Sequence, residues 1–188
     1  GKEKWMLLHT VQNQNILPLT SACNMSCIFC SHKYNPPHIE SFRGGHLSLE
    51  LIKELIEYLP ASGPITLGES ATKIIEGEPF LHPDFKEVIS LIREKWPERD
   101  IKITTNGSLL TEDMTVFLKK QGSLVLNVSV NGPDQESRQH LMKDKNPEQV
   151  FQGLQFLEPR NISWHGSMVA LPHLLGWDSV KKTLHKIN

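Results

Sequence analysis

Three cysteines, Cys23, Cys27 and Cys30, fall within one window of eight residues, and the 188-residue chain contains no others. An odd number of thiols cannot all pair within one chain. A disulfide framework would also spread its cysteines to staple distant segments. Thiols gathered this tightly point to a metal ion or a metal–sulfur cluster in a reducing compartment such as the cytoplasm. Thiolates are soft ligands, suited to zinc or to iron–sulfur chemistry.

The rest of the composition narrows the setting. The length fits one domain. Apolar residues make up 38% and charged residues 22%, ordinary values for a soluble globular chain. Twenty Lys and Arg stand against 21 Asp and Glu, a net charge of −1. That balance carries no footprint of a nucleic-acid or anionic-membrane binder. Twelve Gly and 12 Pro are too few for a disordered or fibrous chain. No apolar run approaches the roughly 18 residues of a membrane span. The start, Gly1-Lys2-Glu3-Lys4-Trp5, lacks the apolar stretch of a signal peptide.

Short β-rich runs alternate with helical periodicity. Ile16–Thr20, Ile65–Leu67, Ile101–Thr105, Leu124–Val130 and the region from Ile162 to Leu171 read as strands, the first weakened by Pro18 and the last by Gly166. Between them, Ser48 can cap a helix with Leu51, Ile52, Leu55 and Ile56 on one face, ended by Pro60. Pro83 suits a first helical position ahead of Phe85, Val88, Ile89 and Ile92, with Pro97 as the stop. Thr111 can cap a third helix, Asn146-Pro147 opens a fourth, and a last one is expected near Asp178 with Val180, Leu184 and Ile187 inward. Five β-α repeats imply a parallel sheet. The expected fold is α/β, a partial, open (β/α) barrel of about five units. Residues 1–188 read as one such domain. A helix closes the chain where a sixth unit would begin, so that unit and any substrate domain are expected to be absent.

The spacing C-x3-C-x2-C follows the first expected strand, on a βα loop at the C-terminal edge of the sheet. Active sites of parallel β/α folds form at that edge. Two readings are open. His32 can complete a Cys3His zinc site, in a non-catalytic module of a larger assembly. Zinc sites, however, usually group their ligands in two pairs a dozen or more residues apart. Alternatively, three thiolates hold three irons of a [4Fe–4S] cube, and the fourth iron stays open to bind and activate a small molecule.

The triplet resembles the signature of the radical S-adenosylmethionine (radical SAM) enzymes, in which an aromatic residue commonly precedes the last cysteine. Phe29 fills that place. The resemblance implies that the open iron chelates S-adenosylmethionine. One electron from the reduced cluster then cleaves the sulfonium, and the resulting 5′-deoxyadenosyl radical abstracts hydrogen from a substrate. Glu76-Gly77-Glu78-Pro79 resembles the family's G-G-E-P segment, with Glu76 in place of the first glycine. By that resemblance Gly77, Glu78 and Pro79 bind the methionine amino group. The segment lies about nine residues beyond Leu67, and Gly68-Glu69-Ser70 is an alternative for the same role.

Two more strand ends are similar to family motifs. Thr104-Thr105-Asn106-Gly107 matches a common T-N-G, which gives Thr105 and Asn106 as cofactor contacts. Ser129-Val130-Asn131-Gly132 resembles S-x-D-G, with an amide where the family has a carboxylate. Ser129 and Asn131 would then face the ribose hydroxyls. Arg138 would pair with the methionine carboxylate, unless it is a solvated helix charge. The implied cofactors are a [4Fe–4S] cluster and S-adenosylmethionine. The implied electron donor is of flavodoxin or ferredoxin type, and the small-molecule or peptide substrate is not readable.

Overall fold

The computed structural model describes residues 1–36, 38–71 and 73–187. Among these residues four strands form one parallel sheet in the order β1-β2-β3-β4: β1 (Ile65–Leu67), β2 (Ile101–Thr105), β3 (Leu124–Ser129) and β4 (Ser163–Ser167). Parallel neighbours need crossover connections, usually helical. The helices are α1 (Lys2–Gln14), α2 (Leu49–Glu57), α3 (Phe85–Lys95), α4 (Glu112–Lys119), α5 (Gln135–Met142), α6 (Glu148–Leu157) and α7 (Pro172–Ile187). The last is interrupted at Gly176, whose φ of 78° is non-helical.

Capping chemistry places several of these starts. Ser48 Oγ accepts the Leu51 N–H at 3.3 Å, Thr111 Oγ1 accepts that of Met114 at 3.2 Å, and Asp134 accepts that of Ser137 at 2.9 Å. Each satisfies an orphan donor of a first helical turn. Ile52, Leu55 and Ile56 of α2, Val88, Ile89 and Ile92 of α3, and Val150 of α6 form one core with Ile101, Ile103, Leu124, Leu126 and Val128 of the sheet.

Burial alternates along β2 and β3. One sheet face lies under the helices. The other carries Thr104 beside Asn127, and His165 next to them in register. That face is only partly covered and is polar.

Several elements differ from the sequence reading. The expected first strand forms isolated bridges rather than a ladder, Ile16 with Thr66 and Thr20 with His46. Pro18 has no N–H, and the Leu19 and Thr20 N–H groups turn to the Glu76 carboxylate. The fifth expected strand contracts to Ser163–Ser167. Pro83 precedes the α3 start instead of opening it, and a short helical segment from Pro172 precedes the break at Gly176, after which the helix expected near Asp178 runs on. On α7 Thr183 is buried, whereas Leu184 is 43% exposed. The N-terminal helix α1, which buries Leu7, Thr10 and Val11, was not expected; its apolar periodicity is weak.

Candidate functional site

The cysteine loop is held from below by α5. The Ser26 and Ile28 N–H groups each donate at 2.9 Å, to the carbonyls of Met142 and Leu141. Those carbonyls belong to the last helical turn, where helix bonding leaves acceptors unsatisfied. The Cys30 N–H closes a turn on the Cys27 carbonyl at 3.3 Å. All three thiols are free; Cys23 is exposed and the other two are half-buried. Burial pushes Cys27 up to about 11, with smaller contributions from the Cys23 and Cys30 thiols. Burial raises Cys23 too. An iron or zinc centre reverses this preference, because metal binding deprotonates thiols.

The segment 77–79 lies against the chain that enters this loop. The Gly77 N–H donates to the Thr20 carbonyl at 2.7 Å, and the Glu78 N–H to that of Ala22 at 2.8 Å. A Cβ on residue 77 would lie 1.9 Å from the Ala22 oxygen, so the backbones meet only because residue 77 is glycine. Pro79 opens a short 3₁₀ turn over residues 79–81. Glu69 of the alternative segment is exposed.

The Glu78 side chain is 1% exposed and turned inward. It accepts the Thr105 hydroxyl and the Asn106 N–H, both at 2.7 Å, and the Phe80 N–H at 3.2 Å. Burial pushes its pKa up to about 7 against the pull of those donors. Glu78 therefore fastens the end of β2 to the cysteine loop, and of this segment Gly77 is the half-buried residue while Glu78 and Pro79 are buried. The Asn106 amide bonds Asn24 Oδ1 at 2.9 Å and lies 3.9 Å from Cys23 Sγ. Phe29 is half-buried on the loop between Cys27 and Cys30.

Arg138 differs most from its expected role. It is wholly buried. Nε donates to Asp144 at 2.6 Å, and one terminal nitrogen donates to the Ser129 and Val130 carbonyls at 2.7 and 3.1 Å. The other terminal nitrogen donates to the Asn106 carbonyl. The guanidinium thus ties the ends of β2 and β3 to α5, and it is not a solvated charge. Asn131, in the left-handed region with a φ of 60°, accepts the Val169 N–H at 2.8 Å. It is 3% exposed and joins the ends of β3 and β4. Ser129 remains half-buried at the sheet edge.

Three contributors have roles that the sequence reading did not give. Asp144 carries no motif. Ser70 was named only within Gly68-Glu69-Ser70, the alternative cofactor segment. Glu76 stood out only as a departure from the glycine expected there. His32 Nε2 lies 2.6 Å from Ser70 Oγ. Among the described residues no three His, Cys, Asp or Glu side chains converge closely enough to hold a single metal ion.

Comparison with known proteins gives a family model, three curated relatives and two solved structures. The family model of the radical SAM superfamily matches residues 17–186. The GTP 3′,8-cyclase of Klebsiella pneumoniae subsp. pneumoniae is 30% identical over 139 residues, 73% of this chain and 40% of that protein. The enzyme of the same name from Lactiplantibacillus plantarum is 31% identical over 138 residues, 73% of this chain and 39% of that protein. A probable GTP 3′,8-cyclase of Methanococcus maripaludis is 32% identical over 139 residues, 74% of this chain and 43% of that protein. The chain thus spans about two fifths of the length of the curated relatives it matches.

Among solved structures, one described as "Native anSMEcpe with bound AdoMet" superposes with a TM-score of 0.69 at 18% identity, covering 91% of this chain and 48% of that one. Streptococcus suis SuiB bound to S-adenosylmethionine gives 0.65 at 14% identity, covering 90% of this chain and 35% of that one. At these identities the likeness is one of fold, and the fold is the open parallel barrel.

Proposed function

The chain belongs to the radical SAM superfamily, and from that premise we propose that it forms the catalytic core of a radical SAM enzyme, with Cys23, Cys27 and Cys30 as the ligands of its [4Fe–4S] cluster. The observation that carries this reading is the placement of three free thiols on one loop, at the sheet edge where segment 77–79 and the end of β2 also arrive. The donor set fits the group. Three thiolates with no fourth ligand suit a cube with one open iron. A zinc site would need His32 to converge with the thiols on one ion, and among the described residues no three His, Cys, Asp or Glu side chains do so.

When bound, the cluster and S-adenosylmethionine supply a reductively cleavable sulfonium and, from it, a hydrogen-abstracting 5′-deoxyadenosyl radical. This chain's own residues would bind and orient them. The backbone of Gly77 and Glu78 would meet the methionine ammonium, since the Glu78 carboxylate is already committed to Thr105 and Asn106. The Asn106 amide would hydrogen-bond the Cys23 sulfur and so moderate its charge. Ser129 would meet the nucleoside at the sheet edge. Asn131 and Arg138 would act one layer behind, holding the strand ends in line. Substrate would approach the polar sheet face around Thr104, Asn127 and His165, which the helices leave partly open.

The names of the curated relatives make GTP the substrate to test first. The electron would come from a flavodoxin- or ferredoxin-type donor, and the reduced thiols of such a site favour the cytoplasm. Among the described residues no helix is long and apolar enough to cross a membrane.

The test is anaerobic reconstitution, followed by addition of S-adenosylmethionine and dithionite. Formation of 5′-deoxyadenosine by the wild-type chain, and its loss in each Cys→Ala variant, is expected. Formation that persists in any of those variants would overturn the assignment of ligands. If GTP is the substrate, adding it to the reconstituted chain should yield a cyclised nucleotide alongside 5′-deoxyadenosine. An unchanged nucleotide pool beside continued S-adenosylmethionine cleavage would remove GTP while leaving the core reading intact.

A further inference from the structure

The loop after β1 touches both flanks of the cysteine loop. On the entry side, Leu19 lies four residues ahead of Cys23, and its N–H donates to the two Glu76 carboxyl oxygens at 3.2 and 3.1 Å. The Thr20 N–H adds a weaker contact at 3.5 Å. These are the donors that a regular first strand would have given to a neighbour in the sheet. The carbonyls of the same stretch are taken by Leu47 and Gly77, at 2.9 and 2.7 Å. Glu76 is 5% exposed, and a carboxyl group buried to that degree needs such partners.

On the exit side, Ser70 Oγ lies 2.6 Å from Nε2 of His32, two residues beyond Cys30. The same hydroxyl accepts the Glu76 N–H at 3.0 Å. Ser70 is thus the joint between the two grips. It meets the Glu76 N–H and, at 3.4 Å, the Glu76 carbonyl on one side and reaches the far flank through His32 on the other. Arg43 fixes the His32 carbonyl at 2.6 Å, so the imidazole is presented from a braced backbone.

We propose that Ser70 and Glu76, in the loop after β1, act as a splint for the cysteine loop, as positioning residues that hold the segments before Cys23 and after Cys30 at a fixed separation. Neither residue touches a thiol. Each acts through the backbone or the ring that it holds. The functional meaning of the splint rests on the cluster assignment above, and its mechanical meaning does not.

The test begins on the metal-free chain with hydrogen–deuterium exchange of wild type, Ser70→Ala, Glu76→Ala and Glu76→Gln. Ser70→Ala should speed exchange about 10-fold or more at residues 19–22 and 28–33 together, with β2 and β3 unchanged as the internal control. Glu76→Ala should do the same at 19–22. Glu76→Gln keeps a carbonyl acceptor and should restore protection. Faster exchange in Ser70→Ala that is confined to residues 68–76, or that reaches only one flank, would overturn the proposal. So would equal loss of protection in the Gln and Ala variants of Glu76 with the sheet intact. Should Glu76→Ala fail to fold, the Ser70→Ala pattern decides alone. A second measurement is iron loss to a chelator after reconstitution, which should be several-fold faster in Ser70→Ala than in wild type; equal rates would count against the splint. Failure of wild type to take up iron and sulfide would defeat the cluster assignment and leave the exchange result standing.

Discussion

Arg138 Nε donates to Asp144 Oδ2 at 2.6 Å, and the two side chains are 0% and 2% exposed. A buried pair of this kind is held by what surrounds it, because desolvation of both charges offsets most of their attraction. Here the surroundings are the carbonyls of Asn106, Ser129 and Val130. Removing one partner leaves an unpaired charge inside the protein. Arg138→Ala should cost about 3–5 kcal/mol in urea unfolding. Arg138→Met with Asp144→Leu should cost less than Arg138→Ala. A single variant within 1 kcal/mol of wild type, on the order of an exposed pair, would show that the pair is not closed to water.

Glu78 gives a smaller, sharper test. Thr105→Val removes the hydroxyl that donates to its carboxylate and accepts the Gly107 N–H at 3.0 Å. Two buried groups lose a partner, at a cost of about 1–3 kcal/mol each. The variant should unfold at lower urea, and Thr105→Ser should recover most of the loss. An unchanged midpoint for Val beside a loss for Ser would mean that the methyl, not the hydroxyl, matters.

Gly77→Ala would place a Cβ 1.9 Å from the Ala22 carbonyl oxygen, which is backbone and cannot rotate away. The bonds from Gly77 and Glu78 to Thr20 and Ala22 should break. S-adenosylmethionine affinity, measured by anaerobic calorimetry on the reconstituted chain, should fall by at least about 10-fold, the equivalent of 1.4 kcal/mol. Unchanged affinity would remove this segment from the cofactor site.

Stability should depend on pH through Glu76. Burial pushes its folded-state pKa from the ordinary 4.5 to about 8, against the Leu19 and Thr20 N–H groups. Between those values the folded chain keeps a proton that the unfolded chain has released. Stability from this group is therefore fully present below about 4.5 and is lost as pH rises through about 8. The loss is on the order of a few kcal/mol. Thermal melts of the metal-free chain should fall over that range, and Glu76→Gln should fall less. Parallel curves for the two proteins would show that Glu76 does not titrate there.

Local chemistry was legible in the sequence; tertiary exchange of partners was not. The cysteine spacing, the Ser48 and Thr111 caps and the alternation in β2 and β3 are each written in fewer than a dozen neighbouring residues. The first strand failed as a strand because the acceptor for Leu19 and Thr20 lies 57 and 56 residues away, on a side chain. Arg138 looked available because its acceptors on β2 and β3 come together only in the folded sheet. The inward turn of Glu78 was hidden in the same way, since Thr105 and Asn106 reach it from 27 and 28 residues further on. α1 left little trace, having few apolar residues at helical spacing.

The most direct measurement is electron paramagnetic resonance of the reconstituted, dithionite-reduced chain with and without S-adenosylmethionine. A signal from a reduced [4Fe–4S] cluster that shifts when the cofactor is added, with about four irons per chain, is the expected result, because it reports an open iron taking a new ligand. A chain that binds one zinc and shows no such signal, or a cluster whose signal ignores S-adenosylmethionine, would contradict it.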